Sequence, residues 1–275
     1  MSKLTLRNVH ARIVESGWCK SQSVRGNECV RLLGDMPIEK LKEQHLDKLR
    51  KKLLARGISD ATLNRYLASM SRMLNFAKQR GVIERVPYIE WVKEENKRVR
   101  YMTKIEEKQM GKLLKKQKKI EYLHLFIVLL DTGMRLSEAM GLECENIERN
   151  FITLYKTKTN QSRSVPLTAR ALKIITPLKK NGGLVFGHLD YWGVEHCWQK
   201  LRKDMGLRKD KQFVIHCLRH TFATRLAQSG AIEIHLIGQF LGHKTLGTTM
   251  RYAHLRPKNL LHAINVLDNF NGKGN

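Results

Sequence analysis

Apolar residues in this chain recur at helical spacing almost throughout, and the pattern changes to a period of two in only one stretch, Phe151 to Leu167. That single change sets the expected fold class: mainly α, with a small antiparallel β-sheet. The clearest helical stretch follows Ser59 and Asp60, either of which suits an N-cap. Leu63, Tyr66, Leu67, Met70, Met73, Leu74 and Ala77 then fall on one face, and Gly81 ends the run. Upstream, residues 38–54 read as one amphipathic helix and residues 4–33 as one or two more.

The periodic pattern fails between Lys93 and Tyr101, where Lys93-Glu94-Glu95-Asn96-Lys97-Arg98 is charged and aperiodic. A new helix start follows, since Thr103 and Glu106 have capping-box spacing. The expected organisation is a helical domain over 1–95, a linker over 96–102, and a second domain over 103–275. In the second domain Tyr122 to Asp131 is apolar nearly all round, as in a buried helix. Gly133 stops it, and Ser137 is expected to cap the next helix. Phe151-Ile152-Thr153-Leu154-Tyr155 and Ser164-Val165-Pro166-Leu167 flank a polar turn and read as a β-hairpin carrying Lys156, Lys158 and Arg163. Helical patterns return at 169–178, 193–205, 218–228, 233–241 and 258–267.

Charge narrows the partner. The chain of 275 residues holds 51 Lys and Arg against 25 Asp and Glu, a net charge of +26. Both parts share it: residues 1–100 carry 22 basic and 11 acidic side chains, and the remainder 29 and 14. Such a balance points to a polyanion, most often nucleic acid. The face of the 60–79 helix opposite its apolar stripe carries Thr62, Arg65, Ser69, Arg72 and Gln79. Either solvent or a DNA backbone suits it, and Thr62, Arg65, Arg72 and the hairpin's Arg163 are candidate DNA contacts. Five cysteines, Cys19, Cys29, Cys144, Cys197 and Cys217, form no CxxC pair, which argues against a disulfide framework and for a reducing compartment. His216, Cys217, His220 and Cys197 match no common zinc spacing, and no metal or other cofactor is expected. Met1 to His10 is polar and basic, unlike a signal peptide, and the longest apolar run, Leu125 to Leu130, is too short for a bilayer. A cytoplasmic protein is expected.

One constellation carries chemistry. His216-Cys217-Leu218-Arg219-His220 is followed by Leu241-Gly242-His243, and Tyr252 stands nine residues beyond that histidine. Cutting DNA with a tyrosine requires help for a phenol whose ordinary pKa is near 10. It requires cations and donors on the non-bridging oxygens and an acid for the departing oxygen. Arg135 and Arg219 can clamp the oxygens with planar forks. His216 and His243 can donate to phosphate or accept the phenol proton. Lys158, at the hairpin tip, can reach the leaving group, with Lys156 as its rival. Tyr252 is the candidate nucleophile. His220, one helical turn from His216, reads as structural, and His235 and His254 as surface residues. Rejoining would reverse the same step without ATP.

These segments resemble the tyrosine recombinases of the phage-integrase family: Thr132-Gly133-Met134-Arg135 with Ser137-Glu138, Lys158-Thr159-Asn160 leading to Val165-Pro166-Leu167, His216 to Thr224, Leu241-Gly242-His243, and Thr248 to His254. The resemblance covers nearly the whole second domain. The first 95 or so residues resemble the family's core-site-binding domain by pattern. It implies a C-shaped clamp around duplex DNA, a 3′-phosphotyrosyl intermediate with a free 5′-hydroxyl, and strand exchange within a homo-tetramer. It further implies Arg135 and Arg219 as clamp, Lys158 as general acid, His216 as base, His243 as phosphate donor and Tyr252 as nucleophile. Accessory DNA-bending or directionality proteins are conceivable partners. The chain opens directly on the core-binding pattern, which leaves little room for an arm-site-binding domain. The amphipathic tail with Leu260, Leu261, Ile264 and Leu267 is expected to dock on a neighbouring protomer. A type IB topoisomerase shares the chemistry, and a non-catalytic DNA-binding regulator would share the scaffold.

Overall fold

The computed structural model describes residues 4–94, 99–155, 162–179 and 182–255. It divides into two compact units, Met1–Asn96 and Lys97–Asn275. Lys156, Lys158 and the tail from residue 256 onward, on which the expected docking segment falls, lie outside the described residues.

The first unit is helical. Its helices are α1 (Leu6–Glu15), α2 (Lys20–Leu33), α3 (Glu43–Leu54) and α4 (Asp60–Gln79). Ser59 caps α4 by accepting the Thr62 N–H. The apolar stripe of α4 is the centre of this unit's core: Leu63, Leu67, Met70, Met73, Leu74 and Ala77 are buried against Leu6, Val9 and Ile13 of α1 and Cys29 and Val30 of α2. Asn64 fastens the following segment to α4, donating to the Val92 carbonyl at 2.8 Å and accepting its N–H at 3.1 Å. Two expectations are corrected. Residues 38–54 are not one helix: Ile38–Lys40 is a 3₁₀ turn, Leu41 and Lys42 are extended, and α3 begins at Glu43. Ile38 and Leu41 are both buried in this unit's core. Ser69 does not belong to the open face of α4. It is buried, with its hydroxyl donating to the Arg65 carbonyl at 3.2 Å.

The second unit contains α5 (Lys104–Lys116), α6 (Ile120–Thr132), α7 (Leu136–Met140), α8 (Ala169–Lys179), α9 (Tyr191–Asp204), α10 (His216–Ser229), α11 (Ile234–Leu241) and α12 (Leu246–Met250). The Thr103–Glu106 capping box forms as the spacing predicts. A three-stranded antiparallel sheet runs β1 (Ile147–Glu148), β2 (Phe151–Leu154), β3 (Arg163–Pro166), with Ile152 opposite Val165 and Leu154 opposite Arg163. The hairpin was legible in the sequence; the two-residue β1 is too short to carry a period.

Helices α6 and α10 form the middle of this unit. Phe126 meets Trp198 edge-on at 5.1 Å, Trp198 stacks on Phe213 at 5.2 Å, and the Trp198 indole N–H donates to the Phe213 carbonyl at 3.1 Å. The segment entering the unit is tied to α10 by the Met102 N–H donating to the Thr221 hydroxyl at 2.7 Å. Among the described residues, no helix is long and apolar enough to cross a membrane.

Candidate active site

Helix α6 ends where the site begins. Gly133 takes the left-handed conformation (φ 64°) that closes α6, and a Cβ there would lie 2.5 Å from the Phe222 ring. The chain then turns out through Met134 into Arg135. Arg135, not Ser137, is the N-cap of α7, and Ser137 stands inside the helix. The capping group is Glu138, whose Oε2 accepts the Arg135 backbone N–H at 2.8 Å while Oε1 accepts from the Arg135 guanidinium at 2.7 Å. One carboxylate therefore starts the helix and aims the arginine.

Glu138 is itself held by Arg163, at 2.6 and 3.1 Å, and Arg163 also donates through Nε to the Phe240 carbonyl at 3.0 Å. Burial would raise the Glu138 carboxyl, but hydrogen bonds from Arg163 and the Arg135 backbone N–H outweigh it and hold it below the usual carboxylate range. This corrects the expectation for Arg163. Its side chain is 8% exposed and committed to Glu138 rather than offered to DNA. Gly242 (φ 63°) passes so close that a Cβ would lie 2.9 Å from Arg163 Nη1.

Arg219 sits on the inward face of α10 and is 3% exposed. It donates to the Gly133 carbonyl at 2.7 Å and to the Leu241 carbonyl, so it joins the end of α6 to the end of α11. Desolvation, and then repulsion from Arg135, bring its pKa down to about 10, and it remains a cation at neutral pH. Helix α10 begins two residues earlier than its pattern suggests, at His216, which places that histidine in the first turn. The His216 ring reaches the surface, yet desolvation and then Arg219, Arg135 and Arg251 lower its pKa. A cleft of about 270 Å³ beside it is lined by Arg135, Ser137, Glu195, His216 and Arg219, among others.

His243 follows the left-handed Gly242 at the end of α11, and its Nδ1 lies 2.7 Å from the hydroxyl of buried Thr249. Desolvation and the cations Arg219, Arg135, Arg251 and Arg163 take its pKa down to about 4. Tyr252, just past α12, is 1% exposed and packs with Ala223, Ala227, Ile237 and Leu241. Burial raises its phenol pKa, opposed by Arg251 and Arg219.

The structure thus brings Arg135, His216, Arg219, His243 and Tyr252 into one cluster, while Lys158 lies outside the described residues. Two members had no catalytic role assigned from the sequence: Glu138, described above, and His220, read there as structural, whose Nδ1 is 2.6 Å from the Tyr252 hydroxyl. The signal for His220 was its place one turn beyond His216; what lay beneath that turn was not readable. His235 and His254 are exposed. Cys197 and Cys217 are buried in the core, and burial pushes the Cys217 thiol up to about 12. In the first unit, Arg65 and Arg72 are exposed on α4, Arg72 lies 5.8 Å over the Trp18 ring, and Thr62 is half-buried beside its cap, Ser59.

The chain is similar to several known proteins. The chain is 36% identical to the integrase of Escherichia phage P2 over 140 residues, which is 51% of this chain and 40% of that integrase. It is 27% identical to the shufflon-specific DNA recombinase of Escherichia coli over 76% of this chain and 55% of that protein. It is also 27% identical to the tyrosine recombinase XerA of Pyrococcus furiosus over 80% of each. The chain therefore spans about half the length of the first two. In fold it resembles the Tn1549 transposon integrase in complex with transposon right-end DNA, with a TM-score of 0.78 at 17% identity over 97% of this chain and 99% of that one. A lambda integrase dimer bound to a COC′ core site gives 0.73 at 16% identity over 90% and 77%. The model of the phage integrase family matches residues 100–259. That match takes in more than half of the sequence and every element that builds the cluster around Tyr252, and the chain belongs to the phage integrase family.

Proposed function

We propose that this protein is a site-specific tyrosine recombinase that cuts and rejoins duplex DNA through a 3′-phosphotyrosyl intermediate. The observation that carries the reading is the convergence of Arg219, Arg135, His216 and His243 around a buried tyrosine hydroxyl. Glu138 offsets only part of the charge of Arg135, Arg163 and Arg219, and a scissile phosphate supplies further negative charge to this cationic cluster. Arg135 and Arg219 bind its non-bridging oxygens, and their charge stabilises the pentacoordinate transition state. His243 donates to a phosphate oxygen and His216 takes the phenol proton. Tyr252 forms the bond to phosphorus as the bond to the 5′-oxygen breaks, and Lys158 delivers a proton to that oxygen. The phosphotyrosine conserves the bond energy, so a 5′-hydroxyl from the partner duplex can reverse the step without ATP.

The first unit serves as the core-site-binding domain, with Arg65, Arg72 and Thr62 toward the DNA backbone. Its electrostatic contacts position the enzyme, and base contacts specify the site. The assembly is a homo-tetramer on attachment-site DNA, linked by exchange of the C-terminal helix, in the cytoplasm of a bacterial host. Incubating the protein with duplexes carrying the ends of its own element, then denaturing, tests the reading. A covalent protein–DNA adduct is expected from the native chain and not from Tyr252→Phe, whose binding in a gel shift stays within about threefold. Adduct formation by the phenylalanine variant would sink the assignment. Relaxation of supercoiled plasmid without any site would favour a topoisomerase instead.

A further inference from the structure

The proposed mechanism gives His220 no part, yet its ring makes the closest polar approach described for the nucleophile. His220 Nδ1 lies 2.6 Å from the Tyr252 hydroxyl, with ring centroids 6.0 Å apart. A buried phenol keeps its proton at neutral pH, and an O–H deprived of water and of a partner costs about 1–3 kcal/mol. The donor therefore needs an acceptor, and the described residues supply His220. The imidazole is fixed in turn. His216, one turn back on α10, meets it edge-on at 4.8 Å and 89°.

We propose that His220 is a positioning residue for the nucleophile: its Nδ1 accepts the Tyr252 O–H and holds the phenol oxygen in line with the cationic cluster. This rests on the recombinase reading of the site. The ring holds the proton donor without taking its proton, because desolvation and then His216, Arg251, Arg219 and His243 bring its pKa down to about 3. His220 thus holds the phenol in the resting site, and His216, whose ring meets it edge-on, takes the phenol proton once the phosphate is bound.

Three variants test this on a duplex selected from a random-sequence pool by binding to the native protein. The duplex is made once with a natural phosphodiester and once with a 5′-bridging phosphorothiolate, whose thiolate leaves without an acid. His220→Ala is expected to form adduct slower by on the order of 100-fold on both duplexes, with unchanged gel-shift affinity. His220→Asn places an amide oxygen close to where Nδ1 stands and is expected to recover about tenfold of that loss. A defect that disappears on the phosphorothiolate would put His220 on the leaving-group side and overturn the proposal. So would an alanine variant within about threefold of the native rate, or an asparagine variant no better than alanine. If His220→Ala melts below the assay temperature, His220→Asn against His220→Gln decides. The longer glutamine is expected to be the slower, and equal rates count against the idea. A DNA-free arm separates this proposal from the recombinase reading. The ¹⁵N shift of His220 Nδ1 is expected to change in Tyr252→Phe, and no change overturns the hydrogen bond. Absence of any adduct from the native protein overturns the recombinase reading alone.

Discussion

Arg163 and Glu138 form a forked ion pair, with Arg163 Nη2 2.6 Å from Glu138 Oε2 and Nη1 3.1 Å from Oε1. The same carboxylate receives both the backbone N–H and the guanidinium of Arg135. An arginine on β3 therefore sets the carboxylate that sets an arginine of the site. Its Nε bond to Phe240 extends the brace toward the turn that presents His243.

Breaking that brace should cost both fold and chemistry. Arg163→Met leaves the buried Glu138 charge with one cation fewer, and a loss of about 3 kcal/mol is expected in chemical denaturation. Arg163→Lys keeps the charge but not the fork, so it should regain part of the stability while adduct formation stays impaired. Equal adduct rates for Arg163→Lys and the native protein would show that the fork does not orient Arg135.

Arg135→Lys should impair cleavage with little effect on folding. The guanidinium is a quarter exposed, and a lysine can still pair with Glu138. A point charge cannot reproduce two parallel N–H bonds to a phosphate, and a fall in cleavage rate on the order of 100-fold is expected in single-turnover assays.

Gly133→Ala should destabilise the second unit. A left-handed residue with a side chain is strained, and here the added carbon meets the Phe222 ring at 2.5 Å. A cost of about 2 kcal/mol is expected from urea melts. Because the Gly133 carbonyl also receives Arg219, adduct formation should fall further than the stability loss alone explains.

Stability should fall with pH in the histidine range. His220 and His243 have folded pKa values of about 3 and about 4, below their ordinary 6.5. The unfolded chain binds more protons than the native one once pH drops below 6.5. Stability is therefore full above 6.5 and lost as pH falls toward the folded values, by at most about 1.4 kcal/mol per pH unit for each histidine. Between pH 6.5 and 4.5 carboxylates contribute little, so a shallower decline in His220→Asn would be the diagnostic result. A melting temperature flat across that window in the native protein contradicts the neutral-histidine picture.

DNA binding should weaken steeply with salt, because each neutralised phosphate releases counterions. Arg65→Ala and Arg72→Ala on exposed α4 should each lower the slope of log K against log salt by about one. Thr62→Ala, which removes no charge, should leave the slope unchanged. An unaltered slope in the arginine variants would make that face of α4 a solvated surface.

The sequence by itself determined the helices with clear apolar stripes, the hairpin, and the types of residue that phosphoryl chemistry needs. Such information is local: a period, a cap or a spacing is written in neighbouring residues. It misjudged Ser69 and the 38–54 stretch, where burial against other helices overrode the pattern. It could not place the brace or the hydrogen bond at the Tyr252 hydroxyl. Arg163 looked like any hairpin cation, and only the packing of β3 against α11 turned it inward onto Glu138. His220 looked structural because nothing in its neighbourhood in sequence announces a tyrosine 32 positions later. Tertiary structure decided those roles, for a physical reason. Charge and hydrogen-bond energies depend on separation and burial in space, and chain order fixes neither.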